Sequence, residues 1–130
     1  MGADALKARN LRESFRYAGI GISQAFRSER NIRVHWIAAA AVGIVSILLK
    51  LSVQEAGIIA LAVAMVITAE MVNTAIEHCV DLVTSEYDPL AAEAKNVAAG
   101  AVLVSAVGAA IVGAIILGPK LFSAILSRLR

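Results

Sequence analysis

Twelve consecutive residues, Glu70 to Asp81 (EMVNTAIEHCVD), concentrate the side chains able to do chemistry in this chain of 130 residues. An apolar run leads into them. At about 100° per residue, Glu70, Asn73, Glu77 and Asp81 fall at roughly 0°, −60°, −20° and +20° around a helix, one stripe about 80° wide. Acids embedded in a bilayer cost about 2.5–3.5 kcal/mol each on insertion scales, so a set of them on one stripe points to function. Three chemistries suit it: a proton path, a cation channel or a metal-dependent enzyme site. A proton carrier needs one acid, and a channel needs a ring of them around a pore. Two glutamates and an asparagine beside a charged loop suit Mg²⁺, which takes one or two carboxylates plus substrate phosphates. Phosphoryl transfer asks for positioning, a metal, a cation for the phosphates and a base. Glu70, deepest in the apolar run, is the candidate base. Neither familiar glycine-rich phosphate loop is present, so any nucleotide site is unconventional. Spacing and composition lead to a membrane-embedded metal or proton site, and stop there.

The elements that must position this stripe are those of a small integral membrane protein. The chain is 59% hydrophobic and 17% charged, with a mean hydropathy of +0.78, more apolar surface than a soluble domain of this size buries. No cleavable signal precedes the first apolar stretch, and residues 1–9 are expected to fray. Leu11, Phe15, Ala18, Ile22, Ala25 and Phe26 recur with helical period, with Arg12, Arg16, Arg27 and Arg30 largely off their stripe. That pattern predicts an amphipathic surface helix over about 11–30, its arginines toward anionic headgroups. His35 and Trp36 mark the interface. Membrane spans are expected over about 34–51, 56–80 and 97–117. KLSVQE (50–55) allows only a tight turn between the first two. A polar loop over about 82–96 precedes the third. Ala101, Ser105, Ala109 and Gly113 form a small-residue seam for close helix approach. Gly118 and Pro119 are expected to end the last span, leaving a short interfacial helix as the tail. The fold class is thus all-α, a membrane protein of three transmembrane helices and one surface helix, in a single domain.

Basic residues near the spans set the orientation. With the N-terminus inside, Lys7, Arg9, Arg12, Arg16, Arg27, Arg30, Arg33 and Lys95 are cytoplasmic, eight against the four of Lys50, Lys120, Arg128 and Arg130. The stripe and the 82–96 loop then face the cytoplasm. The lone Cys79 excludes an intrachain disulfide and lies about 180° from Glu70, where it packs inertly. Glu29, among Arg27, Arg30 and Arg33, reads by itself as an ion-paired surface acid.

The stretch Glu70–Asp81 resembles the signature of the prokaryotic diacylglycerol kinase family, small membrane kinases unrelated to soluble kinases. The likeness runs from about Phe15 to Leu117. SFRYAGIGI, SERNIRVH, NTAIEHCVDL and KNVAAGAVL look most like its Gram-positive-type branch, typically undecaprenol kinases. The resemblance implies that ATP phosphorylates a lipid alcohol, undecaprenol or, as the alternative, diacylglycerol. It makes Glu70 the base, with Asn73 beside it. Glu77 and Glu29 would hold the Mg²⁺, which raises Glu29 from surface acid to ligand. Lys95 would sit on the phosphates, and Glu86, Tyr87 and Asp88 where the family contacts nucleotide, with Tyr17 of the surface helix a further nucleotide contact. Asn96 stands where the family usually has Asp, a departure expected to weaken turnover without abolishing it. Asp81 is expected to pair structurally with a nearby cation, and His78 to pack or meet headgroups. A homotrimer in the bacterial inner membrane is implied, with sites shared between chains and no nucleic-acid partner. Other classes are a non-catalytic relative damaged at Asn96 and a proton-coupled transporter using Glu70.

Overall fold

The computed structural model describes residue 8 and residues 10–129, and every described element is helical: α1 (Leu11–Ser28), α2 (Arg30–Leu48), α3 (Val53–Val83) and α4 (Pro89–Leu129). The expected fraying of residues 1–9 and the charges of Lys7, Arg9 and Arg130 fall largely outside the described residues. α2, α3 and α4 are each long and apolar enough to cross a membrane.

α1 starts where Asn10 caps it, the Asn10 Oδ1 accepting from the Glu13 N–H at 2.9 Å. It ends at Glu29, a single extended residue (φ −100°, ψ 121°) that serves as C-cap of α1 and N-cap of α2. The Arg33 guanidinium reaches back across this elbow and donates to the Arg27 carbonyl at 2.9 Å, satisfying an acceptor that the end of α1 leaves open. Ile32, only 2% exposed, anchors the elbow in the protein. On α1 itself no residue is buried, and Leu11 and Phe15 are 78% and 77% exposed.

α2 begins at Arg30 rather than near 34, because one residue suffices to turn the chain. It closes in a Schellman motif, with the Leu51 N–H donating to the Ser46 carbonyl and the Lys50 N–H to the Ile47 carbonyl. Lys50 occupies the left-handed position of that motif (φ 52°), where glycine is the norm and another residue costs about 1 kcal/mol. α3 starts at Val53, ahead of the expected 56, because Ser52 and Glu55 form a reciprocal capping box.

Two boundaries differ more from expectation. The loop predicted over about 82–96 is only 84–88. Pro89, expected either to break a helix or to start one, opens α4, and Asp88 Oδ1 accepts from the Leu90 and Ala91 N–H groups at 2.8 and 3.0 Å. An Asp cap followed by proline in the first turn is a strong helix start, which the polarity of the segment masks. α4 also does not stop at Gly118–Pro119: it runs unbroken to Leu129, so the tail is no separate helix. Proline inside a helix forfeits a hydrogen bond and crowds the preceding turn, but membrane helices tolerate it where local adjustment and neighbouring groups re-satisfy the freed backbone. Its 41 residues reach about 61 Å at 1.5 Å per residue.

α3 packs along α4 over most of its length, α2 leans on α3 more lightly, and α1 touches both α2 and α3. An apolar groove of about 250 Å³, walled by Val42, Ile59, Val63, Val66, Ala106 and Ala110, remains between α2 and the α3–α4 pair. Ala109 and Gly113 of the small-residue seam border this groove, and a Cβ added at Gly113 would meet nothing within 4 Å, so Gly113 is not a point of close helix approach within the chain. Two ion pairs tie the hairpin ends, Lys120–Glu55 at 3.1 Å and Lys95–Asp81 at 2.6 Å.

Candidate functional site

The second half of α3 holds every buried polar residue among those described: Glu70 (4% exposed), Asn73 (9%) and Thr74. All three stand on one uninterrupted helix, so their spacing is that of the α-helix and not of a flexible loop. Thr74 Oγ1 donates to the Glu70 carbonyl at 3.1 Å, the usual way for a threonine to satisfy its hydroxyl in an apolar setting. One turn on, Asn73 Nδ2 donates to Glu77 Oε1 at 2.8 Å. That bond fixes the Asn73 amide so that its Oδ1 is left buried without a partner. A buried orphan acceptor is costly, by about 1–3 kcal/mol, and marks a place prepared for a donor or a cation.

Beyond Glu77 the stripe continues to Asp81, which pairs with Lys95 of α4. Asp81 is therefore the partner of a cation, as expected. In the 84–88 turn, Thr84 Oγ1 accepts from the Glu86 N–H and donates to the Glu86 carbonyl, both at 3.2 Å. Asp81, Thr84, Glu86, Tyr87, Asp88 and Lys95 together line a cleft of about 300 Å³. Asp88 has a second duty there, since one of its oxygens caps α4. Asn96 is exposed and makes no side-chain hydrogen bond among the described residues.

The residues singled out in the sequence thus fall into three places. Glu70, Asn73 and the half-buried Glu77 form a ladder, Glu86, Tyr87, Asp88 and Lys95 a cleft, and Glu29 and Tyr17 lie on the α1 side. Glu29 is half-buried at the elbow, its carboxylate not used as a helix cap. Tyr17 lies under the Arg16 guanidinium, 5.2 Å from its ring centre. Among the described residues no three acidic, His or Cys side chains converge as a metal cage within one chain. The donor set present instead fits a cation that takes part of its shell from phosphates: a Glu77 carboxylate, an orphaned amide oxygen on Asn73 and no enclosing cage. His78 and Cys79 are exposed. Thr74 and Arg33 were missed by sequence reasoning. For Thr74 the signal was its place four residues after Glu70 on an apolar helix; Arg33 read only as one of the three arginines around Glu29.

Comparison with known proteins places this arrangement. The family profile described as prokaryotic diacylglycerol kinase matches residues 16–117. An undecaprenol kinase of Bacillus subtilis is 49% identical over 109 residues, covering 84% of this chain and 89% of that protein. A diacylglycerol kinase of Synechocystis is 44% identical over 117 residues, covering 89% of this chain and 67% of that protein.

Proposed function

The chain belongs to the prokaryotic diacylglycerol kinase family and is a membrane-bound lipid kinase, and on that premise we propose that it transfers the γ-phosphate of ATP to the hydroxyl of undecaprenol. The observation that carries the reading is the ladder of buried Glu70 and Asn73 with half-buried Glu77 at the end of a membrane helix, beside a cleft bearing Lys95. For the lipid, the 49% identical undecaprenol kinase, matched over most of both chains, supports the polyprenol. The 44% identical diacylglycerol kinase supports the second reading, in which the product is phosphatidic acid.

In the proposed reaction the lipid hydroxyl lies against Glu70, which takes its proton as the oxygen attacks the γ-phosphorus. The bond from that phosphorus to the β–γ bridging oxygen breaks, and ADP leaves with the electron pair. Asn73 holds Glu77 through the 2.8 Å bond, and Glu77 with Glu29 would hold Mg²⁺. Bound there, the metal would neutralise charge on the phosphates. Lys95 would leave Asp81 for the phosphates, an exchange made easy by the exposure of the pair, 38% and 62%. Glu86, Tyr87 and Asp88 would meet the nucleoside in their cleft, and Tyr17 would approach it from α1. Asn96, next to Lys95, lacks the charge usual there and lowers turnover.

The absence of a three-acid cage within one chain, among the described residues, supports a homotrimer in which Glu29 meets the ladder across chains. The exposed Leu11 and Phe15 support α1 lying in the membrane interface. The excess of basic residues on the α1 side supports a bacterial inner-membrane protein with its site in the cytoplasm.

Transfer of label from ATP by the purified protein in mixed micelles with Mg²⁺ tests the reading, with undecaprenol and diacylglycerol compared side by side and Glu70→Gln as control. Preference for undecaprenol, lost in the variant, is the expected result. Preference for diacylglycerol selects the second reading, and full activity in Glu70→Gln removes Glu70 as base.

A further inference from the structure

The other end of the bundle, remote from the acid stripe, carries features that the transfer reaction does not use. There the α2–α3 turn faces the length of α4 that continues beyond Pro119. A groove of about 370 Å³ opens between them, lined by Leu48, Leu49, Lys50, Pro119, Lys120 and Ser123. The 3.1 Å contact of Lys120 with Glu55 puts this groove level with the first turn of α3 and the last of α2, where apolar helix gives way to polar turn. That is the depth of phospholipid headgroups.

We propose that this groove binds an anionic phospholipid, its phosphate between Lys50 and Lys120 and its acyl chains along Leu48 and the neighbouring apolar surface. The charges facing the groove from its three walls are Lys50 on the turn, Lys120 on α4 and Glu55 on α3. Glu55 does not cancel the two ammonium groups. One carboxylate stands against two ammonium groups, and its oxygen that meets Lys120 is held back on the helix cap by the Ser52 N–H at 2.7 Å. The excess is positive. Leu48, 73% exposed, supplies an apolar wall beside it, and Ser123 directs its hydroxyl to the Pro119 carbonyl rather than competing for the lysines.

The backbone adds an independent observation. Lys50 stands in the left-handed position of the Schellman motif, which glycine fills without strain, and its side chain projects from the turn at the groove. A residue held in an unfavourable conformation where glycine would serve the fold better is one retained for its side chain. A cation at headgroup depth is what an anionic lipid requires.

The test is retention of dioleoylphosphatidylglycerol against dioleoylphosphatidylcholine by the full-length protein, counted as bound lipid by native mass spectrometry from zwitterionic micelles. The arginines of α1 also attract anionic lipid, so the readout is the change in preference between variants. Lys50→Gly is expected to lower the preference about fivefold, the effect of one cation at an anionic surface. In phosphatidylcholine the same variant is expected to raise the melting temperature. Glu55→Gln, which keeps the capping box, is expected to raise the preference, and Lys50→Arg to leave it within about twofold. An unchanged preference in Lys50→Gly, or a lowered one in Glu55→Gln, overturns the proposal. A lower melting temperature for Lys50→Gly overturns the strain argument and the proposal with it. Inorganic phosphate stabilising the protein as much as phosphatidylglycerol does would overturn the assignment to a lipid.

Discussion

Replacing Asn73 by Ala separates what the ladder contributes to stability from what it contributes to transfer. Two changes in the folded state oppose each other. The variant loses the 2.8 Å bond from Nδ2 to Glu77, a bond to a charged acceptor and so worth about 1.5–3 kcal/mol; because Glu77 is only half-buried, the lower figure applies. It also removes the buried Oδ1 that has no partner, relieving a penalty of about 1–3 kcal/mol. Alanine is further favoured over asparagine within a helix by roughly half a kcal/mol. Together the terms leave the variant between level with the parent and about 2 kcal/mol more stable, so without nucleotide the melting temperature should not fall. Catalysis has no such compensation. Glu77 loses the amide that orients it, and any cation at the site loses an oxygen ligand. Loss of one such preorganised contact is expected to lower kcat/KM by about 10²–10³. The Mg²⁺ concentration at half-maximal rate should rise with it, while the KM for the lipid stays put. The assay is label transfer over a Mg²⁺ series, paired with thermal unfolding of the apo-protein. Loss of rate in step with a large fall in melting temperature would show Asn73 to be structural. An unaltered rate and Mg²⁺ dependence would refute the role given to the ladder.

Glu70→Gln keeps the volume of a buried side chain but removes the proton acceptor, so transfer should fall by at least about 10² while the protein stays folded; activity near the parent's would exclude Glu70 as base. Asn96→Asp is expected to increase turnover, by up to about 10²–10³ if the missing charge helps hold the cation or Lys95, read as initial rate and Mg²⁺ dependence. Neither changing would show that the departure at Asn96 is harmless. Arg33→Gln removes the guanidinium bond to the Arg27 carbonyl and loosens the elbow bearing Glu29. The expected outcome is a raised Mg²⁺ requirement at saturating ATP, partly restored in Arg33→Lys, and an unchanged Mg²⁺ curve would detach the elbow from metal binding.

The three spans and the α3 stripe were legible because they depend on periodicity and hydropathy, which α-helical geometry converts directly into faces. Boundaries were less so, each for a local reason. The segment 84–96 reads as polar loop by composition, yet Asp88–Pro89 is a helix start whose effect outweighs the charges that follow. Pro119 reads as a helix stop, but a proline within a membrane helix is tolerated and α4 continues through it. The Schellman motif after α2 had no visible signal, because its usual glycine is a lysine. In the site, periodicity placed Glu70, Asn73 and Glu77 together, and the cation expected beside Asp81 proves to be Lys95 across the hairpin. It had no means of relating Glu29 to them: Glu29 stands at the elbow between α1 and α2 while the ladder is on α3, and such relations are set by packing rather than by spacing.

The division of the site between elements also bears on how it works. α3 and α4 form a hairpin tied by ion pairs at both ends, so the ladder and Lys95 sit on one stiff frame. Glu29 and Tyr17 belong to α1 and the elbow, which no buried residue of α1 anchors and which the protein holds chiefly through Ile32 and the Arg33 clamp. A reaction that needs Glu77 and Glu29 around one cation therefore needs a lightly held element brought up to a rigid one. Perturbing the frame should lower the maximal rate, because the base and phosphate contacts are displaced together. Perturbing the elbow should change the Mg²⁺ and ATP concentrations needed, because it alters how often the second carboxylate is in place. Asn73→Ala and Arg33→Gln sit on opposite sides of that division. If both shifted the Mg²⁺ curve equally and left the maximal rate alone, the frame and the elbow would not be separate parts.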